Sequence, residues 1–305
     1  MFDLTDHYTY FEQNQNSTLP FAIEFDSGVA GLNLVFVGST HGSEPAGTIA
    51  NVEIHKQLLS GDLKLKKGKV TFVLGNPAAF LGSKRFVEKN LNRVFREEIA
   101  SGLEGDRAKE FREYFSSHKV DFLLDLHSVS VGNFQFVIYF HSPETVKTAV
   151  DISPIGIHLL ADKKTIPGTL IEEVRRHGGE GFVIECGNHN QPQTVDVARY
   201  HIISTLLHHD MIEKSDVALP NIEPSPEICV YEVFDTIKPR VGFQFTDPDT
   251  TTGTFVKKDH IFVTYDGGVD IANRDCYIVM PDKNPSIHDV DAGFLCTRDI
   301  LKRSF

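Results

Sequence analysis

The alternation running from residue 33 to residue 212 is the feature that most constrains this chain. Short apolar runs closed by Gly, Asn or Asp recur, with longer segments between them that have helical periodicity. The runs are Asn33 to Val37, Lys69 to Leu74, Val120 to Leu126, Phe134 to Phe140 and Gly181 to Ile184. Each is short and rich in β-branched or aromatic residues, which predicts strand rather than a fragment of buried helix. Between the first two, Ala46, Ile49, Ala50, Ile54 and Leu58 form one apolar face, so Glu44 to Leu59 is expected to be a helix. Strand, helix, strand in succession is the pattern of a mixed, largely parallel sheet covered by helices on both faces, a three-layer α/β/α domain.

A second amphipathic stretch, Thr194 to Ile212, aligns Val195, Ala198, Ile202 and Leu206 on one stripe and is expected to close this domain. The texture then changes. Residues Asp216 to Glu227 carry Pro220, Pro224 and Pro226, which remove amide donors and disfavour helix before them, the mark of a linker. From Ile228 onward, CVYEVF, GTFV, HIFVTY and CYIVM alternate with Gly and Asp turns, predicting a small β-rich domain. The expected division is a catalytic domain over residues 1–215 and a C-terminal domain over 216–305.

With 30 Lys and Arg against 42 Asp and Glu, the net charge of −12 argues against the broad basic surface that nucleic-acid binding needs. It also repels acidic small molecules at long range, so an anionic substrate would need a local arginine cluster to capture it. The first residues, Met1 to Phe11, lack the basic start and apolar run of a secretory signal, and no stretch approaches the ~18 apolar residues of a membrane span. Cys186, Cys229, Cys276 and Cys296 are scattered, without the close pairs of a thiolate metal site or a disulfide scaffold. The reading is a reduced, cytoplasmic protein with no membrane or nucleic-acid partner.

The segment VFVGSTHGSEPAG ends a strand in glycine and then presents His41 and Glu44 just before a helix. Open α/β sheets place their ligand crevices at this end of a strand. Imidazole and carboxylate suit Zn²⁺, and a third protein ligand leaves the fourth position for water. His-x-x-Glu alone is a weak signal that matches by accident, as a loop histidine and a helix-capping glutamate do. His127 follows the apolar run FLLDL at another expected strand end, with Asp125 two residues earlier on the same side of the strand, placed to steady it. Neither His-Glu-x-x-His nor its inverted form is present, so a different zinc scaffold is required.

His41-Gly-Ser-Glu44, Asn76-Pro77, Arg85, Asn92-Arg93, Asp125-Leu-His127-Ser and Glu185-Cys-Gly187 occur in this order between about Val35 and Gly187. Together they resemble the succinylglutamate desuccinylase/aspartoacylase family, a branch of the zinc carboxypeptidase-like fold. The resemblance implies one Zn²⁺ per chain, held by His41, Glu44 and His127. It makes Glu185 the catalytic glutamate and Arg85 the arginine that polarises the scissile carbonyl. Asn92 and Arg93 match the pair that grips the substrate's α-carboxylate, a role suited to a guanidinium fork and a directional amide donor.

The activity implied is hydrolysis of an N-acyl amino acid, succinylglutamate- or acetylaspartate-like. Glu185 would take a proton from the attacking water and return it to the leaving amine. The alternatives are a zinc carboxypeptidase acting on peptides and a catalytically inactive metal-binding scaffold or sensor. Arg175, ten residues before Glu185, is a candidate for a second substrate carboxylate, although Arg175 and Arg176 also read as the basic end of a helix. Asn90 departs from the aspartate that the family usually places before Leu-Asn-Arg. His208 and His209 read as residues near a helix end, and Cys186 as a buried thiol rather than a nucleophile.

Overall fold

The computed structural model describes residues 4–96, 101–130, 132–140, 143–161, 164–285, 287 and 291–302. The chain divides into two compact units, one of residues 1–155 and 166–224, the other of 156–165 and 225–305.

In the first unit the strands are β1 (Ala22–Asp26), β2 (Asn33–Gly38), β3 (Lys69–Leu74), β4 (Phe122–Val129), β5 (Phe136–Phe140) and, after an intervening strand of the second unit, β7 (Glu180–Asn188). Their spatial order is β1-β3-β2-β4-β7-β5. The three inner pairings, β3 with β2, β2 with β4 and β4 with β7, are parallel, and the edge strands β1 and β5 run antiparallel to their neighbours. Among the described residues the unit's α-helices are α1 (Leu4–Asn14), α2 (Ala46–Ser60), α3 (Pro77–Leu81), α4 (Leu91–Val94), α5 (Leu103–Ser117), α6 (Pro143–Ile152), α7 (Leu170–Arg176) and α8 (Gln193–His208).

The period-two alternation of β4 sorts its two faces. The even-numbered residues meet α2 and the end of α8: a Cβ on Gly47 would lie 2.6 Å from the Leu126 Cβ, and the Phe122 ring lies 5.4 Å from that of His209, tilted at 55°. The odd-numbered face carries Leu123, Asp125 and His127. It lies on the side of α7, where Ile171 approaches Gly181, the register partner of Leu123. The sheet is thus sandwiched between helices, the α/β layering expected from sequence. α2 begins at Ala46 instead of Glu44, because Pro45 takes the cap position and leaves Glu44 in the preceding loop.

The second unit contains β6 (Ile157–Ala161), which pairs in parallel with β8 (Glu227–Thr236). Its remaining strands are β9 (Gln244–Phe245), β10 (Thr254–Val256), β11 (Ile261–Tyr265), β12 (Gly268–Ile271), β13 (Cys276–Val279) and β14 (Phe294–Lys302). The β-rich texture from Ile228 onward therefore forms strands as expected. A core of Ile237, Val256, Phe262, Val263, Ile278 and Leu295 with smaller residues holds this unit together. All four cysteines are free thiols, and among the described residues no helix is long and apolar enough to cross a membrane.

Candidate active site

The site begins where β2 ends. Gly38 sits against the start of α2 so closely that a Cβ there would lie 2.2 Å from the Thr48 amide nitrogen. The turn that follows buries Ser39, Thr40, His41 and Glu44. The Ser39 hydroxyl donates to the Glu44 carbonyl at 3.0 Å, which fixes the loop from inside. Gly42 is pressed onto α3, where a Cβ would fall 2.1 Å from the Ala79 carbonyl carbon.

Glu44 is the hub of the group. Its Oε1 lies 2.8 Å from His41 Nδ1 and accepts from Arg85 Nη1 at 3.2 Å. Its Oε2 lies 2.9 Å from His127 Nδ1 and accepts from the Ser128 amide at 3.1 Å. The two imidazole rings stand 4.8 Å apart at 73°. The ligand atoms that His41, Glu44 and His127 can offer all lie within 4.8 Å of one another.

Both imidazoles are held from behind through Nε2. His127 Nε2 lies 2.8 Å from Asp125 Oδ2, and Asp125 Oδ1 accepts from the Thr40 hydroxyl at 2.7 Å. His41 Nε2 lies 3.0 Å from Asn90 Oδ1, an oxygen that also accepts from the Asn92 amide as the cap of α4. A neutral ring that donates its Nε2–H outward turns its Nδ1 lone pair to the Glu44 carboxylate. Two nitrogens and a carboxylate drawn this close need positive charge between them, and shared protons or one divalent cation can provide it. The residues therefore fit a metal ion with N and O ligands.

Charge and burial set the titration of the group. Burial pushes His41 down to about 4, and the Arg85 guanidinium adds to that. Burial also works against a charged His127, yet the Asp125 and Glu44 carboxylates hold its pKa well above the usual histidine value. Burial would raise Glu44, but the two imidazoles keep it well below the ordinary carboxylate range.

Glu185 stands across the ladder from His127, its register partner on β7. It is buried, and its Oε2 has no hydrogen-bond partner among the described residues. Burial, followed by the nearby Glu44 charge, pushes it up to about 7. A carboxyl poised near neutrality can both accept and return a proton. Cys186 beside it is buried with its pKa pushed well above the thiol range by desolvation, so it stays protonated.

Five further residues of sequence interest differ in how near they come to this group. Arg85 is 53% exposed, with its Nη1 on Glu44. Asn92 is buried; its Nδ2 lies 3.4 Å from His127 Nε2 and its Oδ1 accepts from the Leu170 amide at 2.8 Å. Arg93 follows on α4 and donates from Nη1 to the Asn92 carbonyl at 2.7 Å. Arg175 is not brought to the group. Its Nε lies 3.8 Å from Glu180 Oε2, and Glu180 begins β7 five residues before Glu185, roughly 16 Å along an extended strand. His209 ends the opposite side of the sheet, against Phe122. Sequence reading did not foresee the contacts of Asn90 and Thr40; the only local signal for them was a polar residue adjoining each ligand or grip motif.

A buried His-Glu-His trio at the carboxyl ends of parallel strands, with a carboxyl of raised pKa beside it, defines a class of α/β proteins with a candidate hydrolytic metal centre. The profile of the succinylglutamate desuccinylase/aspartoacylase catalytic domain matches residues 30–207, and the chain belongs to that family. The chain is 37% identical to a succinylglutamate desuccinylase of Pseudomonas paraeruginosa over 188 residues, 55% of each protein. It is 30% identical to a probable aspartoacylase of Nostoc over 163 residues, 50% of this chain and 54% of that one. The chain thus spans about half the length of the curated relatives it matches. In fold it is similar to a succinylglutamate desuccinylase of Vibrio parahaemolyticus, with TM-score 0.69 at 19% identity, covering 92% of this chain and 89% of that one. It is also similar to murine aminoacylase 3, with TM-score 0.60 at 18% identity, covering 89% and 97%.

Proposed function

We propose that the protein is a zinc-dependent amidohydrolase that cleaves the amide bond of an N-acyl amino acid, as its relatives' names imply for them. The observation that carries this reading is the convergence of both Nδ1 atoms on Glu44 with Glu185 paired to His127 across the β4–β7 ladder. A structural zinc site more often has four protein ligands and no adjoining base.

His41, Glu44 and His127 would hold one Zn²⁺, which when bound supplies Lewis-acid polarisation and makes water a nucleophile near neutral pH. Asp125 and Asn90 orient the two imidazoles so that Nδ1 remains the ligand atom. Glu185 takes the proton from water as it attacks the acyl carbonyl, then delivers it to the leaving nitrogen. Arg85, half exposed beside Glu44, meets the oxygen on which negative charge develops. Arg93 and the Nδ2 of Asn92 receive the α-carboxylate of the amino acid, which gives an acidic protein its local capture point for an anion. Arg175 has no part in this scheme, being engaged with Glu180.

The test is elemental analysis of the purified protein together with a side-by-side assay of N-acetyl-aspartate, N-succinyl-glutamate and short peptides. Zinc near one per chain with release of the free amino acid is expected. Preferential trimming of peptides, or metal-replete protein inert on every N-acyl amino acid, would overturn the reading.

A further inference from the structure

Glu104 lies in the first turn of α5 and is 1% exposed, yet its side-chain hydrogen bonds leave its own helix. Oε1 accepts from the Val87 amide at 2.7 Å and from Asn76 Nδ2 at 3.1 Å. Oε2 accepts from the Glu88 and Lys89 amides, both at 3.1 Å. Three consecutive backbone N–H groups are thus gathered onto one carboxylate. Glu88 returns the contact, its Oε2 accepting from the Leu103 amide at 3.0 Å.

The loop so gathered is the one that matters. It begins with Arg85, whose carbonyl accepts from the Gly42 amide at 3.2 Å, and leads to Asn90, Asn92 and Arg93. Asn76, the fourth partner, caps α3, the helix on which Gly42 rests. One buried side chain therefore ties together the segment bearing the metal-ligand loop's support and the segment bearing the carboxylate grip. An acidic residue in the first turn of a helix ordinarily serves the positive end of that helix. Here the bonds go to a different segment, which has no strand or helix of its own between Gly82 and Asn90. Burial works to raise the pKa of Glu104, but the bonds from Val87, Asn76, Lys89 and Glu88 hold it below the ordinary carboxylate value, so it is charged and at full acceptor strength.

We infer that Glu104 is a positioning residue for substrate capture: through the amides of Val87, Glu88 and Lys89 it sets the span from Val87 to Arg93, which ends in the Asn92–Arg93 pair, in the geometry that receives the substrate's carboxylate. This rests on the function proposed above. Glu104 touches neither the ligand trio nor Glu185, so its loss should be felt in binding before it is felt in chemistry.

Glu104→Gln keeps the shape but turns one oxygen into a donor facing amide donors, removing up to half of the four bonds. In the zinc-loaded enzyme, KM for the preferred N-acyl amino acid is expected to rise about tenfold or more, with kcat held within about threefold. Zinc should remain at one per chain. Hydrogen exchange read by mass spectrometry should accelerate about tenfold in peptides covering 85–90, with those of β4 and α5 unchanged. Glu104→Asp, which keeps both acceptors one methylene back, should recover part of the KM. An active wild type whose Gln variant keeps KM, or loses zinc and kcat together, overturns this inference alone. A wild type inert on every N-acyl amino acid removes the functional reading and this inference with it.

Discussion

His127 and Glu185 are register partners on the parallel ladder between β4 and β7, so their side chains leave the sheet on the same face. One is a candidate ligand and the other a carboxyl whose Oε2 accepts no hydrogen bond from the described residues. The sheet itself, and no flexible loop, sets the distance between the candidate ligand and the proposed base, which is the rigidity a proton transfer in an active site needs.

Replacing Glu185 with Gln separates holding the metal from using it. The amide cannot take a proton, so kcat should fall by about 10²–10⁴-fold. Zinc content measured by elemental analysis should stay at that of the wild type. Retention of near wild-type turnover would assign the base elsewhere.

The two histidines differ in what stands behind them, a carboxylate for His127 and a neutral amide for His41. Asp125→Asn should weaken zinc binding by about 10–100-fold, because the charged partner raises the basicity of its imidazole. Asn90→Asp should strengthen it. Competition against a chromophoric chelator measures both, and equal affinities for all three proteins would deny these partners any influence.

His201 on α8 gives the fold a dependence on acid that is separate from the active site. Its Nδ1 donates to the Val197 carbonyl at 2.8 Å and its Nε2 accepts from the Ser153 hydroxyl at 2.9 Å, the pattern of a neutral ring. Burial pushes its pKa down to about 4. The unfolded chain, titrating near ~6.5, binds this proton first, so the stabilisation is whole above that pH and is lost as pH falls from about 6.5 to 4. The loss amounts to about 3 kcal/mol at most. Urea unfolding across that range should show His201→Gln with a shallower pH slope than wild type.

Gly42→Ala probes the seat of the ligand loop. Its Cβ would fall 2.1 Å from backbone of α3, which cannot swing aside as a side-chain tip would. Destabilisation of about 1–3 kcal/mol is expected, with weaker zinc binding because His41 and Glu44 flank the displaced residue. Unchanged melting temperature and zinc affinity would show that the loop has room to yield.

Much of this site could be read from the chain because its parts lie in short, chemically distinct segments. His41 and Glu44 sit in one turn, and His127 and Glu185 end recognisable apolar runs. The limits of the strands were less legible: β4 continues through His127 to Val129 and β7 through Glu185 to Asn188, because ladder pairing, not local hydrophobicity, decides where they stop. β1 and β6 left no mark in the sequence reading. β6 gains its place by pairing with β8, some seventy residues later. Arg175 read either as a cation for a second carboxylate or as the basic end of a helix, and α7 does end at Arg176; its pairing with Glu180 depends on that helix end meeting a strand start, which spacing does not encode. Glu104 was invisible for the same reason, since an acidic residue at a helix start announces only that helix.

The pairing of β2 with β4 also orders events in time. His41 and Glu44 are synthesised some eighty residues before His127, and a two-ligand half-site grips zinc poorly. On the zinc reading proposed above, three-ligand capture of the ion would have to follow the pairing of the central strands, because only that pairing brings His127 to His41 and Glu44.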